Sequence, residues 1–309
     1  MRVVFMGTPE FAVPVLEELI KHYEVVLVVS QPDKEVGRKK ELTSPPVKKC
    51  ALSHNIKVFQ PVKIRKEYEE VLAAQPDLIV TCAFGQMIPD IILNYPKYGA
   101  INVHASLLPK YRGGAPIQKS IMAGDDKTGI SIMYMVKKMD AGDIILQESV
   151  KILDTDNLKN VQDKLSELGK DLLIKGINLI LENKVERIIQ DESQVTYAYN
   201  ITREEEKIDW NRSAKEIFNH IRALNPQPLA YTILNDIDIQ ILEVIITDKP
   251  STKEAGTIEE ITKGNVYVST KDKLILINKI KYPGKKEMGI KDFMNGIGKS
   301  VFKIGEMFK

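Results

Sequence analysis

Residues 98–116 read Tyr98-Gly-Ala-Ile-Asn102-Val-His104-Ala-Ser106-Leu-Leu-Pro109-Lys-Tyr111-Arg-Gly-Gly-Ala-Pro116. The first part, Ala100 to Ala105, is short, apolar and β-branched, as a buried strand is. Asn102 and His104 sit two apart within it. Strand side chains alternate faces with period two, so both polar groups point to one side. Burying an amide beside an imidazole costs free energy unless each finds a partner. Ser106-Leu-Leu-Pro109 ends the strand, and the glycines of Arg112-Gly-Gly-Ala-Pro116 permit close backbone approach. A polar pair at the carboxyl end of a strand, followed by a glycine-rich loop, is where open α/β sheets place ligands.

A lone Asn-x-His on a strand is more often a hydrogen-bonded core pair than a catalytic one. The rest of the chain changes that balance. Its 309 residues exceed one typical domain, so two are expected. Composition is that of a globular protein, 43% hydrophobic and 28% charged. The two cysteines, Cys50 and Cys82, make neither a disulfide framework nor a metal-ligand cluster, which suits a reducing cytoplasm. No apolar run reaches the ~18 residues of a membrane span. Arg2-Val-Val-Phe-Met6 reads as a strand rather than a signal peptide. We therefore expect a cytoplasmic protein with no membrane partner; a monomer is the working expectation, which these features do not decide.

Arg2–Met6, a helix carrying Leu16, Leu19 and Ile20, and the strand Glu24–Ser30 make a βαβ unit. Gly7 is the only glycine at the first turn, so the dinucleotide fingerprint is absent and a nicotinamide enzyme is rejected. Residues 31–49, with three prolines, one glycine and many charges, read as a long, exposed, structureless loop of functional character. Asp77–Ala83 is a central strand, Gly129–Met135 and Ile144–Glu148 are further strands, and Leu158–Leu181 has helical spacing. Polar residues with Tyr197, Tyr199 and Glu204-Glu-Glu206 place a linker at 190–206. Beyond it, short strands with turn signals indicate a small barrel. The expected fold is α/β: a Rossmann-like domain with a mostly parallel sheet over 1–189, then a small OB-like β-barrel over 207–309.

Charge is uneven. Residues 271–309 carry ten lysines against four acids, a net of +6, leaving −4 for residues 1–270. Such a surface attracts a polyanion, although a solvated lysine-rich tail explains the composition equally well.

Five blocks in order carry a resemblance: Gly7-Thr-Pro-Glu-Phe11, Phe84-Gly-x-x-Ile-Pro89, Asn102-x-His-x-Ser-Leu-Leu-Pro109, Tyr111-Arg-Gly-Gly-Ala-Pro116 and Asp140-x-Gly-Asp143. Over nearly its whole length the chain resembles the 10-formyltetrahydrofolate-dependent formyltransferases. The resemblance implies that Asn102, His104 and Asp140 are catalytic. It implies a folate donor, 10-formyltetrahydrofolate, against Phe84, Gly85, Gln86, Met87, Ile88 and Pro89, with Ser106, Leu107, Leu108, Pro109, Gly142 and Asp143. No metal is expected. The residue types suit the chemistry. Formyl transfer to an amine passes through a tetrahedral oxyanion, which Asn102 can stabilise without a charge to desolvate. His104 offers an imidazole that can carry a proton and hydrogen-bond the same centre, and Asp140 can orient it or accept the proton itself. With no serine or cysteine elbow, attack by the substrate's own amine is favoured over a covalent intermediate.

Aminosugar formyltransferases and formyltetrahydrofolate hydrolases share the same blocks. Three features point instead to charged initiator methionyl-tRNA as acceptor. The loop with Arg38, Lys39 and Lys40 resembles the insertion of tRNA-formylating members, whose arginine enters near the acceptor end. The second domain carries Asp209-Trp-Asn211 and Gly284-Lys285-Lys286, and its basic excess fits a phosphate backbone. Arg38, Lys39, Lys40, Lys285 and Lys286 are the tRNA candidates. One departure is Leu229, where the Asn-Pro-x-Pro turn usually continues with glycine. A non-enzymatic RNA-binding protein would explain the basic loop and barrel, and would leave Asn102, His104 and Asp140 unexplained.

Overall fold

The computed structural model describes residues 1–36 and 40–309. They form two compact units. One comprises residues 1–116, 127–151 and 162–199, the other residues 117–126, 152–161 and 200–309.

The first unit is built on nine strands: β1 (Arg2–Gly7), β2 (Glu24–Val29), β3 (Lys34–Val36), β4 (Glu41–Thr43), β5 (Val58–Phe59), β6 (Leu78–Cys82), β7 (Ala100–His104), β8 (Lys127–Tyr134) and β9 (Ile144–Lys151). Seven make one sheet in the order β5-β2-β1-β6-β7-β8-β9. The pairs from β5 to β7 are parallel, and β8 and β9 add antiparallel. β1, β6 and β7 are almost wholly buried, which is why their sequences are continuous apolar runs and not alternating ones. Strand order reverses between β1 and β6, so the crevice outside their carboxyl ends is the ligand position of such sheets. The helices are α1 (Val13–His22), α2 (Pro46–Ser53), α3 (Glu69–Ala73) and α4 (Asp90–Leu93); α5 (Pro116–Ala123) falls in the second unit beyond Pro116, and α6 (Leu158–Leu181) in the first from residue 162. In α6 the residues at helical spacing, Leu165, Leu172, Leu173 and Ile177, are all buried.

The expectation of a structureless loop over 31–49 is corrected. β3 and β4 pair antiparallel, with Glu35 opposite Leu42, and α2 begins at Pro46. Side-chain bonds pin the base of this hairpin. Lys48 Nζ and Gln60 Nε2 each reach Asp33 at 2.8 Å. Gln60 first, and then Lys48, hold the Asp33 carboxyl below its ordinary pKa. These partners are distant in sequence, so loop composition could not show them. Gly37, Arg38 and Lys39 lie outside the described residues.

The second unit holds α7 (Arg203–Glu206), α8 (Ala214–Ala223) and strands β10 (Ala230–Leu234), β11 (Ile237–Pro250), β12 (Ile258–Thr262), β13 (Asn265–Ser269), β14 (Lys273–Lys281) and β15 (Met288–Gly289). The sheet is antiparallel in the order β10-β11-β14-β13-β12, with β15 on β14. Its two ends are joined by residues 305–309. Ile233 and Lys309 exchange two backbone hydrogen bonds, of 3.0 and 2.8 Å, on the β10 side. On the β12 side, Ile258 N donates to Glu306 O (2.8 Å) and Phe308 N to Gly256 O (2.9 Å). This closure gives the barrel character. The lysine-rich segment is thus no solvated tail. Phe293, Phe302 and Phe308 fill the core, with Phe308 stacked on Trp210 at 5.5 Å between centroids. Leu229, where glycine was expected, takes φ 82°, the left-handed conformation that glycine would adopt without steric cost.

Phe308→Ala should remove both a core ring and the anchor of the closing segment. We expect the second unit to lose about 3–5 kcal/mol. Urea unfolding followed through Trp210, the one tryptophan of the chain, measures it directly. A loss under about 1 kcal/mol would mean that residues 305–309 do not hold the barrel together.

Candidate active site

β7 carries Asn102 and His104 to its carboxyl end, and neighbouring strands orient each. Thr81, in β6, is level with Asn102 in the parallel register. Its Oγ1 donates to Asn102 Oδ1 at 2.7 Å, its shortest contact. The amide is thereby turned so that Nδ2 carries no hydrogen bond among the described residues. It is a free donor beside the strand end. Thr81 was missed from sequence. Its signal was a hydroxyl at the fourth position of the otherwise apolar run Leu78-Ile-Val-Thr-Cys82.

His104 is buried, and its Nε2 lies 3.0 Å from Tyr111 O. A carbonyl only accepts, so Nε2 carries the proton and Nδ1 is left as the basic atom. Nδ1 faces Asp140 Oδ2 at 3.8 Å, within ion-pair range and beyond hydrogen-bond length. Asp140 Oδ2 is itself held by Gly113 N at 2.8 Å. Tyr111 O and Gly113 N therefore fix the two candidate proton carriers from a single three-residue segment.

Arg112 lies between them and has no exposed surface. Its Nε and Nη2 both donate to Gln190 Oε1, at 3.0 and 2.8 Å, and Nη2 also reaches Glu192 at 2.9 Å. With Oε1 occupied twice, Gln190 must present its Nε2 to the other side. There it donates to Asp140 O and Gly142 O, each at 2.8 Å. Lys138 and then Arg112 hold the Glu192 carboxyl below its ordinary pKa. The brace fixes a tight turn. Asp140 takes φ 48°, and a Cβ at Gly142 would lie 1.8 Å from Tyr134 O. Tyr111 and Ala83 are also left-handed, at φ 61° and 48°. Such conformations cost of order 1–3 kcal/mol each and persist where the surroundings over-determine them. Composition alone assigns Gln190 to the linker at 190–206. Residues 190–198 are instead tied into the first unit by Arg112 and by backbone bonds to residues 111–115.

The candidate folate residues fall into two groups. Phe84–Pro89 follow β6 at the reversal of strand order. Thr8 Oγ1 and Gln31 Nε2 both donate to Phe84 O, at 3.1 and 3.0 Å, and so cross that reversal. Gln86 accepts from Ile64 N at 2.8 Å. Phe84 and Ile88 are core residues, whereas Met87 is exposed. Gly85 lies beside them at φ 84° and Pro89 leads into α4. In the second group, Ser106 is fully buried and spends its hydroxyl on Lys110 O at 2.7 Å. Leu107 packs over Gly129, and Leu108 clusters with Met133 and Ile144. Pro109 closes this turn, which Gln147 and Ser131 pin through Leu108 O and Leu108 N. Asp143 is half-buried, 3.7 Å from Arg187.

Of the candidate tRNA residues, Lys40 is exposed at the end of the hairpin turn, while Arg38 and Lys39 lie outside the described residues. Lys285 and Lys286 are exposed in the turn between β14 and β15 of the second unit, without an ion pair among the described residues.

Comparison with known proteins follows this geometry. Residues 1–177 match the family described as Formyl transferase, and residues 200–298 match Formyl transferase, C-terminal domain. A Methionyl-tRNA formyltransferase of Staphylococcus epidermidis is 49% identical over 303 residues, 97% of each chain. One of Bacillus cereus is 52% identical over 314 residues, 99% of each. Among solved structures, HypX from Aquifex aeolicus in complex with tetrahydrofolic acid superposes with TM-score 0.67 at 14% identity. That match covers 99% of this chain, which spans half the length of HypX. An N-formyltransferase from Helicobacter canadensis, in complex with folinic acid and dTDP-3-aminofucose, has TM-score 0.67 at 21% identity. It covers 89% of this chain and 98% of its own. At these identities the structural likenesses speak to fold alone.

The brace makes its own prediction. Gln190→Leu leaves Nε of a buried guanidinium without an acceptor and Nη2 with Glu192 alone, and should cost about 3 kcal/mol or more. Arg112→Leu should be costly too, yet the double variant should lose clearly less than the sum, because the pair is coupled. Chemical denaturation of the four proteins measures this. Strictly additive losses would show that Arg112 and Gln190 do not act together.

Proposed function

The chain belongs to the formyl transferase family, and from that premise we propose that it formylates methionyl-initiator tRNA, with 10-formyltetrahydrofolate as donor. What carries the acceptor assignment is the near-full-length identity to proteins of that name. What supports the chemistry is the free Asn102 Nδ2 beside the basic Nδ1 of His104.

The methionyl amine attacks the formyl carbon, a C–N bond forms, and the carbonyl oxygen becomes an oxyanion. Asn102 Nδ2 donates to that oxygen, its direction set by Thr81. The amine loses a proton to His104 Nδ1, and Asp140 stabilises the imidazolium that results. The bond from the formyl carbon to N10 of the folate then breaks, and N10 takes the proton from His104. No side chain of the chain is acylated. We assign this chemistry to residues 1–189 with the docked segment 190–198, the rest of 190–206 as a connection, and 207–309 as the part that holds tRNA phosphates through Lys285 and Lys286. Phe84–Pro89 lie where this sheet class binds ligands and supply the donor pocket; the Ser106–Pro109 turn and Gly142-Asp143 form its wall. Arg38, Lys39 and Lys40 meet the acceptor end.

The proposal is tested by supplying the purified protein and folate donor with charged initiator tRNA or with a nucleotide-linked aminosugar. Formylation of the tRNA supports the reading. Formylation of the sugar alone, or of neither, overturns it.

Asn102→Ala should lower kcat by roughly a hundred- to a thousand-fold with the fold intact. Activity within a few-fold of the parent would make Asn102 structural. His104→Ala, Asp140→Ala and their double variant should all lose similar amounts, since members of one catalytic unit are non-additive. Multiplying losses would separate their roles.

Arg38→Lys keeps the charge but not the planar fork that pairs with phosphate or stacks on a base. It should impair formylation of charged tRNA while donor binding stays unchanged. Steady-state rates equal to the parent would remove Arg38 from the site.

A further inference from the structure

Two tyrosines stand on the segment that serves the catalytic groups, and the chemistry above leaves them without a role. Residues 196–198 run beside Tyr111–Gly113 as a short parallel bridge, with Tyr197 opposite Arg112. Arg112 N donates to Thr196 O (2.9 Å), Ala198 N to Arg112 O (2.7 Å) and Tyr111 N to Thr196 Oγ1 (2.9 Å). In extended chain the side chains alternate. Ala198 is fully buried, so Tyr197 and Tyr199 share the outer face, at 47% and 65% exposure. Their rings are stacked, with centroids 5.6 Å apart and planes within 3°. The backing is rigid. A Cβ at Gly113 would lie 2.5 Å from Ala198 O, so the two segments are pressed together.

A single exposed tyrosine is ordinary. Two rings stacked on each other and held on a fixed backing present an outer ring face, the feature by which proteins hold unpaired bases without reading their sequence. Position narrows the partner. Paired strands lie about 5 Å apart, so the tyrosine backbone is one strand-width from the carbonyl that holds His104. The segment thus adjoins the backbone that holds both His104 and Asp140. The acceptor proposed above arrives as a single-stranded 3′ end whose last nucleotide bears the amino acid.

We propose that Tyr197 and Tyr199 form a stacking platform for the unpaired 3′-terminal nucleobases of the acceptor tRNA and so position its aminoacyl group at His104 and Asp140. The proposal rests on the tRNA reading and deepens it. Stacking needs only ring faces, so phenylalanine substitutes for tyrosine at both positions. Both side chains are exposed, so their truncation leaves the core untouched.

The test uses the full chain with three proteins: parent, Tyr197→Ala/Tyr199→Ala and Tyr197→Phe/Tyr199→Phe. Steady-state formylation of charged initiator tRNA is measured beside equilibrium binding of the folate donor and thermal unfolding. The alanine pair should raise KM for charged tRNA by about 10- to 100-fold, with kcat at saturation, donor affinity and Tm close to the parent. The phenylalanine pair should stay within about twofold of the parent. A KM unchanged in the alanine pair, while the parent formylates tRNA, overturns the platform and leaves the activity standing. A fall in kcat alone also overturns it, since the tyrosines would then only shape the catalytic segment. A parent inactive on charged tRNA defeats the activity itself. If KM rises instead only for a nucleotide-linked aminosugar, the base that stacks belongs to that acceptor and the tRNA platform is wrong.

Discussion

The two candidate proton carriers of the first unit, His104 and Asp140, are both held by the backbone of Tyr111–Gly113. Tyr111 O takes the His104 Nε2 proton, Gly113 N holds the Asp140 carboxylate, and the Arg112 side chain fixes the turn that carries Asp140. The segment is not part of the main sheet, so residues 196–198 supply its pairing. Moving one of these groups therefore moves the others. That is how an imidazole at a strand end and a carboxylate on a loop keep their 3.8 Å separation without a direct hydrogen bond.

The arrangement divides the work between two kinds of constraint. The parallel sheet supplies position: β6 and β7 deliver Thr81, Asn102 and His104 in register to one end, beside the reversal of strand order at β1. The loops supply orientation, at the cost of left-handed residues at Ala83, Tyr111 and Asp140. The first constraint comes from burial of apolar strands and is robust. The second depends on a few buried hydrogen bonds around Arg112 and Gln190, where loss of one partner exposes a charge to an apolar interior.

Much of this was legible in the sequence for reasons that are themselves physical. β6, β7 and α6 announce themselves by apolar runs and periodicity, because burial dictates both. The pairing of Asn102 with His104 follows from strand alternation alone. What stayed hidden depends on contacts between residues far apart in the chain. The β3–β4 hairpin is stabilised at its base by Asp33, Lys48 and Gln60, none of which marks a strand. Gln190 looked like linker composition because nothing local shows that its amide bridges Arg112 to the Asp140 turn. The barrel closure by residues 305–309 was masked by lysines, whose charge drew attention away from Phe302 and Phe308 between them. Leu229 is the opposite case. A residue that departs from the expected glycine still takes the glycine-like φ, because the chain on either side dictates the turn.

The claim on which the mechanism turns is that Tyr111 O fixes the His104 tautomer and leaves Nδ1 as the base. The chain has four histidines, few enough for each to be resolved by nitrogen NMR of imidazole-labelled protein. Two-bond proton–nitrogen spectra, recorded with the imidazole neutral, report which ring nitrogen carries the proton. The account predicts a protonated Nε2 and a bare Nδ1 for His104. A protonated Nδ1 in the neutral ring would contradict it, because the imidazole could not then take the amine proton on the side facing Asp140.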